Sequence, residues 1–182
     1  MSFIILYGMR VARGFGLAEL LVSISIFAMV TGLLLANFRQ GERNDSVRNA
    51  VRQVADMLRK VQNSAVSGVA VPDKTCQGGA VCGFGVRLAG GQAPIYFFDS
   101  NGSKSFDSGE EIWGGSQALP TGVTFIPVDK SLVSPLDVIF VPPRGQMVID
   151  GTGLKNVVWQ FSRAGAADQT LEINSISGRI SY

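Results

Sequence analysis

The 182-residue sequence predicts an α+β protein: one long N-terminal helix, its first half fit to span a membrane, packed on an antiparallel β-sheet or sandwich. Three observations carry this. Leu20 to Phe38 runs for nineteen residues without a charge; Val47, Val51, Val54, Leu58, Val61 and Ala65 recur at alternating four- and three-residue steps; and from Val71 onward Gly and Pro punctuate short segments rich in β-branched and aromatic residues. Apolar residues make up 46% of the chain and charged residues only 16%, against roughly 25% charged in soluble globular chains, so disorder is excluded and a segment shielded from water is expected.

At 1.5 Å per residue the apolar run matches the hydrocarbon thickness of a bilayer. A buried soluble helix would show a polar face at period 3.6, and this run shows none. A signal peptide's apolar region is normally about 7 to 15 residues long and ends at small residues, whereas Leu34-Leu35-Ala36 is a poor cleavage site. Beyond Phe38 the valine stripe marks one face of a helix, and Arg48, Arg52, Asp56 and Arg59 lie away from it. No Pro precedes Pro72, so a single helix from Phe15 to about Ser67 is expected, roughly 80 Å long. The stripe spans barely three heptads, which favours packing on the chain's own sheet over a coiled coil.

Nine strands are predicted: Gly83 to Leu88, Pro94 to Asp99, Glu110 to Gly114, Val123 to Val128, Asp137 to Val141, Gln146 to Asp150, Asn156 to Ser162, Gln169 to Asn174 and Gly178 to Tyr182. Turn signals separate them, among them Asn101-Gly102, Pro142-Pro143-Arg144-Gly145 and Asp150-Gly151.

The formal charge of +2 does not call for a nucleic-acid partner or an acidic substrate. His is absent, which removes Ser-His and Cys-His nucleophile pairs, His general bases and His-containing zinc sites. Gly83-Phe84-Gly85 and Gly151-Thr152-Gly153 lack the third glycine of a dinucleotide loop, and Lys104-Ser105 lacks a P-loop's glycine framework. No catalytic constellation survives, so neither enzymatic activity nor a cofactor is expected. One stretch has the spacing of a calcium loop, with Asp99, Asn101, Ser103, Asp107 and Glu110 at its first, third, fifth, ninth and twelfth places. Lys104 stands where that loop needs Gly, and the preceding Ile95-Tyr96-Phe97-Phe98 reads as strand, so a hairpin with Asp and Asn stabilising a tight turn accounts for the same residues.

The N-terminal segment is the most specific. Arg10 and Arg13 precede Gly14-Phe15-Gly16-Leu17-Ala18-Glu19, and the apolar run follows. This resembles the type IV prepilin family. The resemblance implies a leader, residues 1–14, cut after Gly14 by a prepilin peptidase, with Phe15 becoming a methylated N-terminus. It also implies that Phe15 and Glu19 carry assembly, the Glu19 carboxylate pairing with the N-terminal amine of a neighbouring subunit. A carboxylate in a membrane helix is costly and needs a partner; the alternative for Glu19 is a side chain that snorkels into the headgroups. Residues 15–38 are then the transmembrane half of the helix, 39–70 its amphipathic half and 71–182 a periplasmic β-rich domain. Ser2 to Tyr7 is unusually apolar for such a leader, and Met1 and Met9 both remain as starts. From Phe15 onward the chain has fourteen basic and fourteen acidic side chains. Orientation rests on the cleavage motif, because Arg39, Arg43, Arg48 and Arg52 after the run outnumber Arg10 and Arg13 before it.

A domain outside the cytoplasm would oxidise its two cysteines, so the resemblance implies a Cys76–Cys82 disulfide; two thiolates without His fall short of a metal set. The ending from Ile173 to Tyr182 resembles the GspH/FimT group of minor pilins and type II secretion pseudopilins, whose last strands carry a Gly-Arg pair, here Gly178 and Arg179. Some FimT-like members bind DNA through a Gly-Arg-x-Arg ending, but Ser181 replaces the second arginine here, and Arg179 reads equally as a solvated strand-end charge. The function expected is a minor pilin or pseudopilin of a type IV pilus or type II secretion pseudopilus, single-pass in the bacterial inner membrane, with other pilins and the peptidase as partners. The alternative is a DNA-binding or surface-contact minor pilin acting in DNA uptake.

Overall fold

A computed structural model describes residues 16–72, 74–77, 81–129, 134–151 and 156–182. The described residues form one helix and nine strands: α1 (Leu17–Ser67), β1 (Gly83–Leu88), β2 (Ile95–Asp99), β3 (Glu111–Ser116), β4 (Thr124–Pro127), β5 (Leu136–Val141), β6 (Gln146–Ile149), β7 (Asn156–Ser162), β8 (Gln169–Asn174) and β9 (Arg179–Ser181). The layout is α+β, with antiparallel strands throughout. Two compact units are distinguished, Met1–Arg39 and Gln40–Tyr182.

In the first unit the described part is helical from Leu17, and every side chain described between Leu17 and Phe38 is exposed. In the second unit the strands form two sheets, a five-stranded one in the order β3-β2-β1-β5-β6 and a four-stranded one in the order β4-β7-β8-β9. The valine stripe explains how α1 joins them. Val47, Val54, Leu58 and Val61 are wholly buried, in one core with Phe84, Val86 and Leu88 of β1, Val138 and Phe140 of β5, Phe125 of β4, and Val157, Trp159 and Phe161 of β7. Alternate residues of each strand face this core, the period-two pattern of a half-buried strand. The stripe is thus satisfied within the chain. The helix stops where Gly68 follows Ser67, and the Val69 N–H reaches back to the Ser64 carbonyl at 3.2 Å, closing the last turn.

The five-stranded sheet is covered on its other face as well. Phe97 and Ile139 point away from the α1 core yet are fully buried, and Phe106, from the β2–β3 connection, packs edge-on against Phe97 at 5.4 Å. That connection is the stretch with calcium-loop spacing, and its place in the fold is a lid on the sheet.

The strands depart from their expected bounds mainly at β3, which starts at Glu111 and runs on to Ser116. Its pairing with β2 jumps from Ile95↔Ser116 to Phe97↔Glu111, so four residues bulge opposite one. Trp113, Gly114 and Gly115 take positive φ values of 52°, 87° and 75° there. A regular strand cannot contain such a run, and the bulge carries β3 past Gly114, where a regular strand was expected to end.

Candidate functional site

Gly14 and Phe15, the residues expected to be processed, lie outside the described residues. The described segment opens at Gly16, whose carbonyl accepts the first helical bonds from Glu19 and Leu20 at 3.0 and 3.2 Å. Glu19 returns the contact: its Oε2 accepts the Gly16 N–H at 3.1 Å. Gly at the N-cap and Glu three residues on is half of a capping box, and a carboxylate in the first turn is favoured by the helix dipole. This local role was available in the spacing of Gly16 and Glu19, and it is a partner for the carboxylate that sequence reasoning did not list.

The two serines that follow are also satisfied inside the helix. Ser23 Oγ donates to the Glu19 carbonyl at 2.8 Å, and Ser25 Oγ to the Leu21 carbonyl at 2.9 Å. These two hydroxyls therefore need nothing from their surroundings, as a helix in hydrocarbon requires of its polar side chains. The most apolar eighteen residues of α1 have a mean hydropathy of 2.1 and none of them is buried, so this helix is long and apolar enough to cross a membrane.

In the second unit Cys76 and Cys82 are joined by a disulfide, their Cα atoms 5.8 Å apart. Gln77 inside that small loop donates its N–H to the Ser100 carbonyl at 2.8 Å, and Lys74 Nζ, just before the loop, bonds the Gly109 carbonyl, so the chain around Cys76 is tied to both ends of the β2–β3 connection.

The oxygens spaced like a calcium loop are engaged by that connection itself. Asp99 accepts the Ser103 and Lys104 N–H groups through its two oxygens at 3.0 and 2.9 Å. Glu110 accepts the Ser100 N–H at 2.8 Å and the Asp107 N–H at 3.0 Å. Asn101 donates to Asp107 at 2.8 Å, and Ser103 Oγ lies 3.1 Å from the same Asp107 oxygen. Among the described residues no group of three or more His, Cys, Asp or Glu side chains is gathered as a metal set.

At the C-terminus the Gly178 carbonyl accepts a bond from Gln62 Nε2 at 3.3 Å. Gly178 has φ +65°, and a Cβ there would lie 3.2 Å from the same amide nitrogen, so a tight turn against α1 already calls for glycine. Arg179 is exposed on the edge strand β9.

A family model, the prokaryotic N-terminal methylation motif, matches residues 9–35. No curated protein and no solved structure matches the chain.

Proposed function

We propose that this chain, whose N-terminal segment is type IV prepilin-like, is a minor pilin or pseudopilin: a structural subunit assembled into a type IV pilus or a type II secretion pseudopilus after a prepilin peptidase removes residues 1–14. The observation that carries the reading is the methylation motif over residues 9–35, which overlaps the start of α1, where every apolar side chain described from Leu17 to Phe38 is exposed. Such a helix has no stable home in water, and it is satisfied either by lipid or by the apolar helices of other subunits. The motif points to a structural protein. On this reading the chain is single-pass in the bacterial inner membrane, residues 71–182 lie in the periplasm, and the disulfide is formed there. The C-terminal Gly178-Arg179 pair supports the GspH/FimT group within the family.

Mass spectrometry of the protein from cells with an active prepilin peptidase tests this. The expected mature N-terminus is a methylated Phe15. An uncut leader, or a terminus beyond Ala36, overturns the reading.

A further inference from the structure

The bulge of β3 holds a bulky aromatic residue in a backbone conformation that side chains avoid. Trp113 sits at φ 52°, a strained conformation for a residue with a Cβ. The conformation aims the indole out of the strand. One ring face stacks on Phe84 (centroids 6.0 Å apart, planes at 12°), Tyr96 meets it edge-on at 5.6 Å, and 37% of the residue stays exposed. The Lys60 ammonium, arriving from α1, lies 4.6 Å from the Trp113 ring and 5.1 Å from the Tyr96 ring.

Beside this platform, between α1 and β2, opens a groove of about 550 Å³ lined by Asn49, Arg52, Gln53, Asp56, Tyr96 and Gln117 among others. The ion pairs formed among the described residues are Arg59–Asp56 and Arg87–Asp137, so Lys60 and Arg52 face the groove without carboxylate partners. Tyr96 OH donates to Gln117 Oε1 at 3.4 Å and Gln53 Nε2 donates to the Ala118 carbonyl at 2.9 Å, which leaves the Nε2 of Gln117 and the Oε1 of Gln53 without a hydrogen bond to another described side chain in this lining.

We propose that this groove binds an acidic saccharide, a pyranose unit bearing a carboxylate. Three side-chain amides and the Asp56 carboxylate offer the mixed donors and acceptors that adjacent hydroxyls require. Arg52 and Lys60 supply charge-assisted bonds to the carboxylate. Lys60 is exposed on a flexible stem; turning to the ligand, it uncovers indole surface for the C–H face of the sugar. A single negative charge suits a wall holding two cations and one acid, whereas a polyanion such as nucleic acid would meet Asp56 in the same wall. The inference does not rest on how the chain is anchored or assembled.

The chain has two tryptophans, and Trp159 is wholly buried, so quenching of the intrinsic fluorescence by acrylamide reports Trp113. The full chain, in micelles of a detergent without a sugar headgroup, is titrated with digalacturonate, a neutral galactose disaccharide, sodium acetate and an oligoglutamate peptide. Digalacturonate is expected to give a saturable change and to protect Trp113 from acrylamide, with the neutral disaccharide binding at least roughly tenfold more weakly. Lys60→Gln and Arg52→Gln, both at exposed positions and checked by circular dichroism for unchanged fold, are each expected to weaken digalacturonate by a similar factor. No saturation through the millimolar range, an equal response to acetate, or full binding by both variants overturns the proposal. Binding of oligoglutamate without digalacturonate also overturns it and assigns the groove to a protein partner.

Discussion

Asp137 on β5 and Arg87 on β1 are register partners across the sheet, and together they hold both backbone polar groups of a single residue, Phe106. Asp137 Oδ2 accepts the Phe106 N–H at 2.9 Å, Arg87 Nη1 donates to the Phe106 carbonyl at 3.3 Å, and the guanidinium lies 4.8 Å from the Phe106 ring centroid. The two side chains are themselves 3.8 Å apart. This clamp seats Phe106 over Phe97 and closes the outer face of the five-stranded sheet.

The clamp makes a prediction with a definite sign. Burial pushes the Asp137 carboxyl above the usual carboxylate range; the Phe106 N–H and Arg87 pull it back, while Asp150 and Asp107 push further up. A folded-state value above the unfolded one means that the native state takes up the proton more readily. Stability therefore rises as pH falls through the raised folded value, and the gain is complete once the ordinary aspartate value of about 4 is passed. Asp137→Asn keeps an acceptor for the Phe106 N–H and removes the buried charge, so at pH 7 it should melt no lower than wild type, with the gap closing toward pH 4. Asp137→Leu leaves that N–H without a partner and should cost about 1 to 3 kcal/mol at either pH. Thermal unfolding followed by circular dichroism measures both; an Asn variant much weaker than wild type at pH 7 would show that the ion pair with Arg87 outweighs burial.

The stripe on α1 predicts a contrast between two helix positions. Leu58 is wholly buried against both sheets, whereas Arg48 is exposed. Leu58→Ala removes three methyl-sized groups from a packed core and should cost about 2 to 5 kcal/mol, while Arg48→Ala should stay within about 0.5 kcal/mol. Urea unfolding of dilute protein is the measurement. A Leu58→Ala loss that appeared only at concentrations where chains associate would mean that the stripe packs against another copy.

The helix and the nine strands follow from local periodicity, since each apolar residue on a period of 3.6 or 2 reports its own element. The pairing of strands into two sheets depends on non-local contacts such as Phe84↔Phe140 and Trp159↔Leu171, which no local pattern encodes. The role of Phe106 was hidden for the same reason: its partners Arg87 and Asp137 lie 19 and 31 residues away. Glu19 is the opposite case. Its bond to the Gly16 N–H spans three residues, so the cap is encoded locally in a Gly followed three positions on by Glu, even though the charge-free run beside it carries the stronger membrane signal.

The disulfide predicts a modest, local loss. By chain entropy a loop this short is worth about 2 kcal/mol. Cys76→Ser with Cys82→Ala should lower stability by about that amount and speed hydrogen exchange at the Gln77 amide, whose bond to Ser100 the loop holds in place. Wild-type protein unfolded without reductant should label no thiols. Two labelled thiols per chain would contradict the bond, and with it the oxidising location proposed for this domain.

Glu19 allows its two roles to be separated. The carboxylate caps its own helix through the Gly16 N–H, and the proposed assembly role needs its charge to attract a neighbour's N-terminal amine where water is scarce. Glu19→Gln keeps a side-chain oxygen for the cap and loses the charge; Glu19→Ala loses both. If charge carries assembly, both variants should be cleaved after Gly14 and hold the fold of the second unit, because neither uses that carboxylate, and both should crosslink poorly to partner pilins at equal membrane levels. If capping alone matters, Glu19→Gln should assemble as wild type and only Glu19→Ala should fail, by about 1 kcal/mol of helix-end stability. Full crosslinking and full pilus or secretion activity in both variants would reduce Glu19 to a side chain that snorkels to the headgroups, and the assembly role proposed for it would fall.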